Sequence, residues 1–354
     1  RDDLVTGVQT CALPISLGDH VADPTTGLRT TQAQRHANIL EYFDLAEPLG
    51  FDTVVAGEHH FSDFIMSVPQ MFLARMAGRT TSLRLATGVT LLPHHDPVRL
   101  AEDFATLDVL SSGRAEMWVG KGVEPKVYDY FGQDAGEAAD RQQEGLELLT
   151  QLWKTSDLSW QGQFRPPLQG VTLEPRCVQS PHVPVFVSCS NPDATAIPAK
   201  LGLNLVMTGL AFDLDQLKPM VDRYREEWDK AGHRHDPHIT MLPHVHVAET
   251  SQAAIEHLSQ YQFVFQKWVF AKRMMMREED VKLPPRITNL GSPECVIAVG
   301  SPQAVIDKIA QLCEWSGCDR FIYQGDYGGQ PWEKVFSSLH LYAEEVMPVV
   351  RTLH

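Results

Sequence analysis

The chain has 354 residues, of which 43% are hydrophobic, 21% charged and 8% aromatic, as in a globular protein with a large core. Its formal net charge of -15 argues against nucleic acid or an anionic membrane as the main partner. The sequence has no apolar run of the roughly 18 residues that a membrane span needs. The 6 cysteines form no C-x-x-C pair, which favours reduced thiols and a cytoplasmic location.

The N-terminal segment, residues 1–16, differs in character from the rest of the chain. Val5 to Ile15 reads VTGVQTCALPI and resembles the conceptual translation of a sequencing adapter, and no cationic start of a signal peptide precedes it. We therefore expect residues 1–16 to be non-native, and most of the natural first strand to be missing. Residues 17–354 are predicted to form the folded domain.

Short strands alternate with amphipathic helices along most of the chain. Helices are predicted at 32–49, 67–78, 97–110, 137–153, 194–201, 214–231, 302–315 and 332–350. Strands are predicted at 51–56, 83–91, 115–119, 183–189, 203–207, 238–247 and 319–323. This alternation predicts an α/β fold with a single (β/α)8 TIM-type barrel. Residues 251–300 fit less well, and we interpret them as an insertion near the barrel mouth that forms a lid.

Ionisable side chains collect where the predicted strands end. Because active sites of parallel barrels lie at the C-terminal ends of the strands, these side chains are candidate site residues. They are Glu58, His59 and His60 after the strand at 51–56, His94 and His95 after the strand at 83–91, Lys121 after the strand at 115–119, and Asn191 after the strand at 183–189.

Three motifs in this part of the chain resemble those of the bacterial luciferase-like monooxygenases, a family of flavin-dependent oxidoreductases. GEHHF at 57–61 is similar to a segment of the luciferase α subunit. LPHHDPVR at 92–99, followed by ED at 102–103, resembles the family pattern LP-x-x-x-PVR-x-x-ED. LDVLSSGR at 107–114 resembles LD-x-(L/M)-S-x-GR. The motifs occur in the family's order and spacing, and weaker similarity extends to the C-terminus.

The resemblance implies an enzyme that uses reduced FMN and O2 to oxygenate a small organic substrate. Nothing in the sequence resembles a nicotinamide-binding unit, so a separate reductase is expected to supply the reduced flavin. Two alternatives remain open: a dehydrogenase that transfers hydride with the deazaflavin F420, and a flavin-binding barrel without turnover. The family also includes many dimers, which allows a homodimer. The substrate cannot be inferred from the sequence.

The resemblance further implies roles for individual residues. His59 matches the luciferase active-site histidine, and a histidine suits acid–base chemistry because its pKa lies near the working pH. Glu58 is expected to lie at the cofactor and to orient a histidine, with His60 as its partner. Gly88 and Val89 match a position where the family often has a cis peptide bond that presses against the isoalloxazine ring. A packed polar histidine and a plain strand glycine are the alternatives.

The flavin phosphate is expected near a second group of residues. Lys121 replaces an arginine of the family, so the charge is kept and the bidentate geometry is lost. Asn191 and Thr195 align with the phosphate-binding loop and the helix behind it, and a helix N-terminus favours phosphate. Asp193 departs from the family pattern and would repel a phosphate if it pointed inward.

No metal site is predicted. Adjacent residues of an extended segment point to opposite faces, so neither pair of consecutive histidines, at 59–60 or at 94–95, is a natural chelate. His244 and His246 could share one face of a strand, but the spacing specifies no third ligand.

Overall fold

The computed structural model describes residues 11–189, 191–208 and 214–353. The strands are β1 Cys11–Ser16, β2 Thr53–Ala56, β3 Arg84–Thr87, β4 Thr90–Leu91, β5 Ala115–Gly120, β6 Leu158–Trp160, β7 Leu168–Val171, β8 Val185–Ser188, β9 Asn204–Thr208, β10 Ile239–Leu242, β11 Val245–Val247, β12 Ala298–Gly300 and β13 Arg320–Asp326. The helices are α1 Gln32–Asp44, α2 Pro69–Ala77, α3 Pro97–Leu110, α4 Pro125–Tyr130, α5 Ala138–Lys154, α6 Pro192–Leu201, α7 Leu214–Ala231, α8 Ser251–Met274, α9 Pro285–Thr288, α10 Pro302–Ser316, α11 Trp332–Leu341 and α12 Met347–Val350, with a π-helical turn at Tyr342–Val346.

A closed parallel barrel forms the centre of the molecule. Around the barrel the strands follow the order β1, β2, β3, β5, β8, β9, β10 and β13, and β13 pairs with β1 to close it. β4 continues the line of β3 and pairs with the end of β5. The predicted (β/α)8 barrel is therefore confirmed.

Some observed strands differ from the predicted ones at points where the backbone cannot continue the hydrogen bonding between strands. The helices at 97–110 and 214–231 begin and end as predicted. The predicted strand at 83–91 is interrupted at Gly88 and Val89, whose peptide bond is cis. The predicted strand at 238–247 is split at Pro243, which has no N–H to donate. Beyond this break, β11 pairs with β12 outside the barrel.

The segment predicted to be non-native contributes the first barrel strand. β1 pairs in parallel with β13, starting with Cys11 opposite Arg320, and with β2 through Ile15 and Ser16. Residues 1–10 lie outside the described part of the chain. The adapter origin of residues 1–16 stays a prediction.

The predicted insertion contains the long helix α8. Buried apolar residues of α8 pack against Ile287 and Val296 and against Phe64 from the loop after β2. This second apolar cluster, separate from the main core, holds α8 against the strand ends. Of the helices that the structure describes, none combines the length and apolar character required to cross a bilayer.

An apolar layer fills the barrel interior, with one side chain from each of the strands that form the barrel. Its members are Ile15, Val55, Ala86, Trp118, Phe186, Val206, Leu242 and Ile322. Almost all of them are fully buried, and full burial of a large apolar side chain contributes about 1.5–3 kcal/mol.

A buried charge cluster lies next to this layer, toward the N-terminal ends of the strands. The Glu116 carboxylate pairs with Arg84 and, at 3.1 Å, with Arg320, and it accepts a 3.1 Å hydrogen bond from Trp118 Nε1. Arg320 also lies over the Phe186 ring, 4.7 Å from its centroid. Burial alone would raise the pKa of Glu116, but the two guanidinium groups outweigh it and lower the pKa to about 2. This carboxylate is therefore ionised and compensated.

We predict that Glu116→Gln lowers the free energy of unfolding by about 3–5 kcal/mol, because it leaves buried guanidinium charge without its counter-charge. Urea unfolding followed by tryptophan fluorescence would measure the change. The matched control is Glu102→Gln, which removes a partner of the exposed Arg99 and should cost below about 1 kcal/mol. Equal losses for the two variants would contradict this account of the cluster.

Candidate active site

A cavity lies between the C-terminal ends of the barrel strands and α8. Its apolar lining comes partly from the barrel, through Leu17, Val89, Trp118, Val206 and Leu242, and partly from α8, through Phe265, Val269 and Phe270. Its polar lining includes Glu58, His59, His60, His94, Lys121, Glu124, His244, Gln266, Lys272, Arg273 and Gln324. Of the candidate strand-end residues, Glu58, His59, His60, His94 and Lys121 line this cavity, whereas His95 and Asn191 do not.

The Glu58 carboxylate organises the loops on one side of the cavity. Its Oε1 accepts hydrogen bonds from His60 Nε2 at 2.8 Å and from His95 Nε2 at 2.7 Å. Its Oε2 accepts one from the backbone N–H of Leu91 at 3.3 Å. Burial alone would raise the pKa of Glu58, but the hydrogen bonds from the two histidines outweigh it and lower the pKa to about 2. Glu58 therefore orients His60 and also His95, a candidate histidine whose pairing with Glu58 was not predicted.

His59 points away from this network and into the cavity. Its ring stacks on Phe64, with the centroids 4.0 Å apart and the planes at 18°. Its backbone N–H donates to the carbonyl of Met66 at 3.0 Å, which anchors the loop. In the described part of the chain, no group forms a hydrogen bond with the ring nitrogens. Burial, together with the charge of Arg273, lowers the pKa of His59 to about 3, so the ring is neutral near pH 7. A neutral ring can donate a hydrogen bond from one ring nitrogen and accept one at the other.

Gly88 and Val89 form part of the cavity wall between β3 and β4. A Cβ atom on Gly88 would lie 2.9 Å from Ile15 Cδ1 and even closer to Val55 Cγ1, both in the apolar layer of the barrel. Glycine is therefore required by the close approach of the backbone to this layer. Val89 projects into the cavity region, where its Cγ2 lies close to Gly120.

Lys121 lies on the cavity wall near the end of β8. Burial raises the pKa of the Cys189 thiol to about 12, and the positive charge of Lys121 opposes that rise. Both residues line the cavity. Over the described ranges, the Lys121 ammonium forms neither an ion pair nor a hydrogen bond. An unpaired cation facing a cavity fits an anionic group of a ligand.

The two other residues expected at the phosphate lie just beyond the cavity, at the start of α6. Asn191 is the N-cap, and its Oδ1 accepts from the N–H of Ala194 at 2.9 Å. Thr195 is buried and donates its hydroxyl to the carbonyl of Pro192 at 2.6 Å. Neither of them is among the cavity-lining residues, whereas Ser188 and Cys189 before them are.

The structure brings one histidine of each consecutive pair to the same carboxylate. The ligand-type atoms of Glu58, His60 and His95 lie within 4.8 Å of one another, so this is the group whose geometry could hold a metal ion. Both histidines donate to the ionised carboxylate, so the three side chains also satisfy one another without an ion. His244 lies at the cavity, but His246 stacks on His257 away from it, with the centroids 4.7 Å apart.

The segment that contains α8 was predicted to lie near the barrel mouth, but the side chains of α8 that line the cavity were not identified from the sequence. Phe265, Val269 and Arg273 are spaced four residues apart and line the cavity together. The same spacing in the sequence was a detectable signal for a helix face. Its partner was not detectable, because α8 lies about two hundred residues from Glu58 along the chain.

A family model described as luciferase-like monooxygenase matches residues 19–320. The chain is 26% identical over 334 residues to the oxygenase component of flavin-dependent trigonelline monooxygenase from Acinetobacter baylyi, covering 90% of this chain and 91% of that protein.

Two solved structures share the fold. One is the oxygenating constituent of 3,6-diketocamphane monooxygenase from Pseudomonas putida in complex with FMN, with a TM-score of 0.79, 20% identity, and coverage of 96% of this chain and 98% of that one. The other is an F420-dependent secondary alcohol dehydrogenase, with a TM-score of 0.74, 18% identity, and coverage of 97% and 99%.

We predict that Gly88→Ala destabilises the protein by about 1–3 kcal/mol, because the added methyl group overpacks the apolar layer at Val55 and Ile15. Thermal unfolding would measure the loss. Gly78→Ala is the matched control, since its Cβ would meet nothing closer than the Arg75 carbonyl at 3.8 Å. A Gly88→Ala variant as stable as this control would refute the packing argument.

Proposed function

Because this chain belongs to the luciferase-like monooxygenase family and is a flavin-dependent oxidoreductase, we propose that it uses reduced FMN and O2 to oxygenate a small organic substrate. One observation carries the proposal: His59, Gly88, Val89 and Lys121, which the family motifs single out, line the same cavity. A histidine with unbonded ring nitrogens, an apolar wall and an unpaired cation fit the tasks that a protein performs for a flavin, which are binding, orientation and electrostatics.

The cavity residues fit FMN by their chemistry. Val89 and Trp118 offer apolar surface to a flat ring system, and Lys121 offers charge to a phosphate. The N-terminus of α6, which Asn191 caps, adds the positive end of a helix dipole on the side of Lys121. When bound, reduced FMN supplies the electrons with which O2 is activated.

His59 is proposed as the catalytic acid–base group. Its ring is neutral near pH 7, so one ring nitrogen can donate a hydrogen bond to a reacting group while the other accepts one. Stacking on Phe64 fixes the plane of the ring, which reduces the freedom that would have to be lost in the reaction. The apolar side chains of α8 exclude water from this part of the cavity.

A separate reductase is proposed to deliver the reduced flavin. The sequence resembles no nicotinamide-binding unit, and the related trigonelline enzyme is by name an oxygenase component. The alternative cofactor is F420, for hydride transfer on the same barrel, and it is favoured by the shared fold of the secondary alcohol dehydrogenase. A barrel that binds flavin without turnover is the third alternative.

We predict that reduced FMN raises the melting temperature more than F420 does, since Lys121 and the start of α6 suit a single terminal phosphate. Differential scanning fluorimetry under anaerobic conditions would compare FMN, F420 and riboflavin. Lys121→Gln should weaken FMN binding by about tenfold, which is the value of one charge-assisted contact, and should leave riboflavin binding unchanged. A larger shift with F420 would favour the dehydrogenase, and no shift with any flavin would contradict a flavoenzyme.

We also predict that His59→Ala lowers turnover by on the order of 10²-fold or more, while the affinity for reduced FMN changes little. Oxygen consumption with a substrate found by screening would give the turnover, and anaerobic titration would give the affinity. His235→Ala, which removes an exposed histidine outside the cavity, is the control. Unchanged turnover in His59→Ala would remove His59 from the mechanism.

A further inference from the structure

The face of α8 that lines the cavity changes along the helix from apolar side chains to a positively charged one. Phe265 and Val269 lie on this face in succession, and Arg273 follows one turn later at the end of the helix. The wall is therefore apolar inside and cationic at the mouth. Arg273 itself is accessible to solvent, so a ligand that enters the cavity meets this charge.

The charge of Arg273 is not neutralised by a neighbour. Within the described ranges, its guanidinium makes no hydrogen bond and no ion pair, whereas the adjacent Lys272 lies 3.8 Å from Asp63 and the later Arg277 pairs with Asp280 at 2.9 Å. Glu124 lines the same cavity and interacts electrostatically with Arg273, but it forms no ion pair with it. The chain has a net charge of -15, so an unpaired guanidinium at the cavity mouth is a local positive charge in a negatively charged protein. Such a charge attracts an anionic ligand.

Arg273 and Lys121 reach the cavity from different elements. Lys121 directly follows β5, whose neighbour in the sheet is β8, and Arg273 lies in the last turn of α8, beyond Phe265 and Val269. If the flavin phosphate lies at Lys121, the anion at Arg273 is a different group.

We propose that Arg273 binds a carboxylate of the substrate at the cavity mouth, while Phe265, Val269 and Phe270 contact the apolar body of the same molecule. The substrate class is thus a small amphipathic carboxylic acid. A guanidinium fork matches a carboxylate with two parallel hydrogen bonds, which gives both affinity and orientation. The inference rests on the proposed function, because it describes the substrate of that same site.

The test uses the FMN-loaded protein and two isosteric probe pairs: benzoate with benzamide, and cyclohexanecarboxylate with cyclohexanecarboxamide. The two members of each pair have nearly the same shape, but the acid is negatively charged and the amide is neutral. We expect the wild type to bind each acid at least about tenfold more tightly than its amide, measured by isothermal titration calorimetry. In Arg273→Gln this preference should fall to about one, and Arg273→Lys should retain part of it.

The control variant is Arg277→Gln, which removes the same charge from a residue that pairs with Asp280 outside the cavity, and it should keep the wild-type preference. Equal binding of acid and amide to the wild type, no binding of either acid, or a preference that survives Arg273→Gln would each overturn the proposal. Weaker FMN binding in Arg273→Gln would assign the residue to the flavin and overturn it as well. Failure of the wild type to bind FMN is measured separately and would count against the proposed function.

Discussion

The site depends on one buried carboxylate. Glu58 is enclosed at the end of β2, where an uncompensated charge would be very costly, so it must collect hydrogen bonds from the loops around it. It does so from His60 in its own loop and from Leu91 and His95 after β4. These bonds join the loop after β2 to the loop after β4. With residues 58 and 60 held by the network, the side chain between them, His59, is directed into the cavity.

Stability and chemistry are separated along the barrel axis. Toward the N-terminal ends of the strands, Glu116 and its arginine partners form a compensated charge cluster. The apolar layer that includes Trp118 and Phe186 lies between this cluster and the cavity. At the other end the carboxylate of Glu58 is compensated in the same way, but Lys121 and Arg273 are left without an ion pair among the described residues. A group that must meet a ligand cannot also be satisfied by the protein.

The helix α8 turns the open end of the barrel into a cavity. It is held in place by its own apolar cluster, to which Phe64 contributes from the loop after β2. The same Phe64 stacks on His59, so the packing of α8 and the orientation of the catalytic candidate are linked through one ring. The segment that departs from the regular barrel repeat therefore supplies much of the cavity wall.

The sequence by itself determined the barrel and the position of His59, Gly88 and Lys121 at its strand ends, since hydrophobic periodicity and strand-end placement are local properties. Only the tertiary structure decided that His95 shares the Glu58 carboxylate, that β11 leaves the barrel after Pro243, and that Arg273 reaches the cavity. These features join residues that are distant along the chain. Their contacts depend on how helices and loops pack together, and no local pattern of residues encodes that packing.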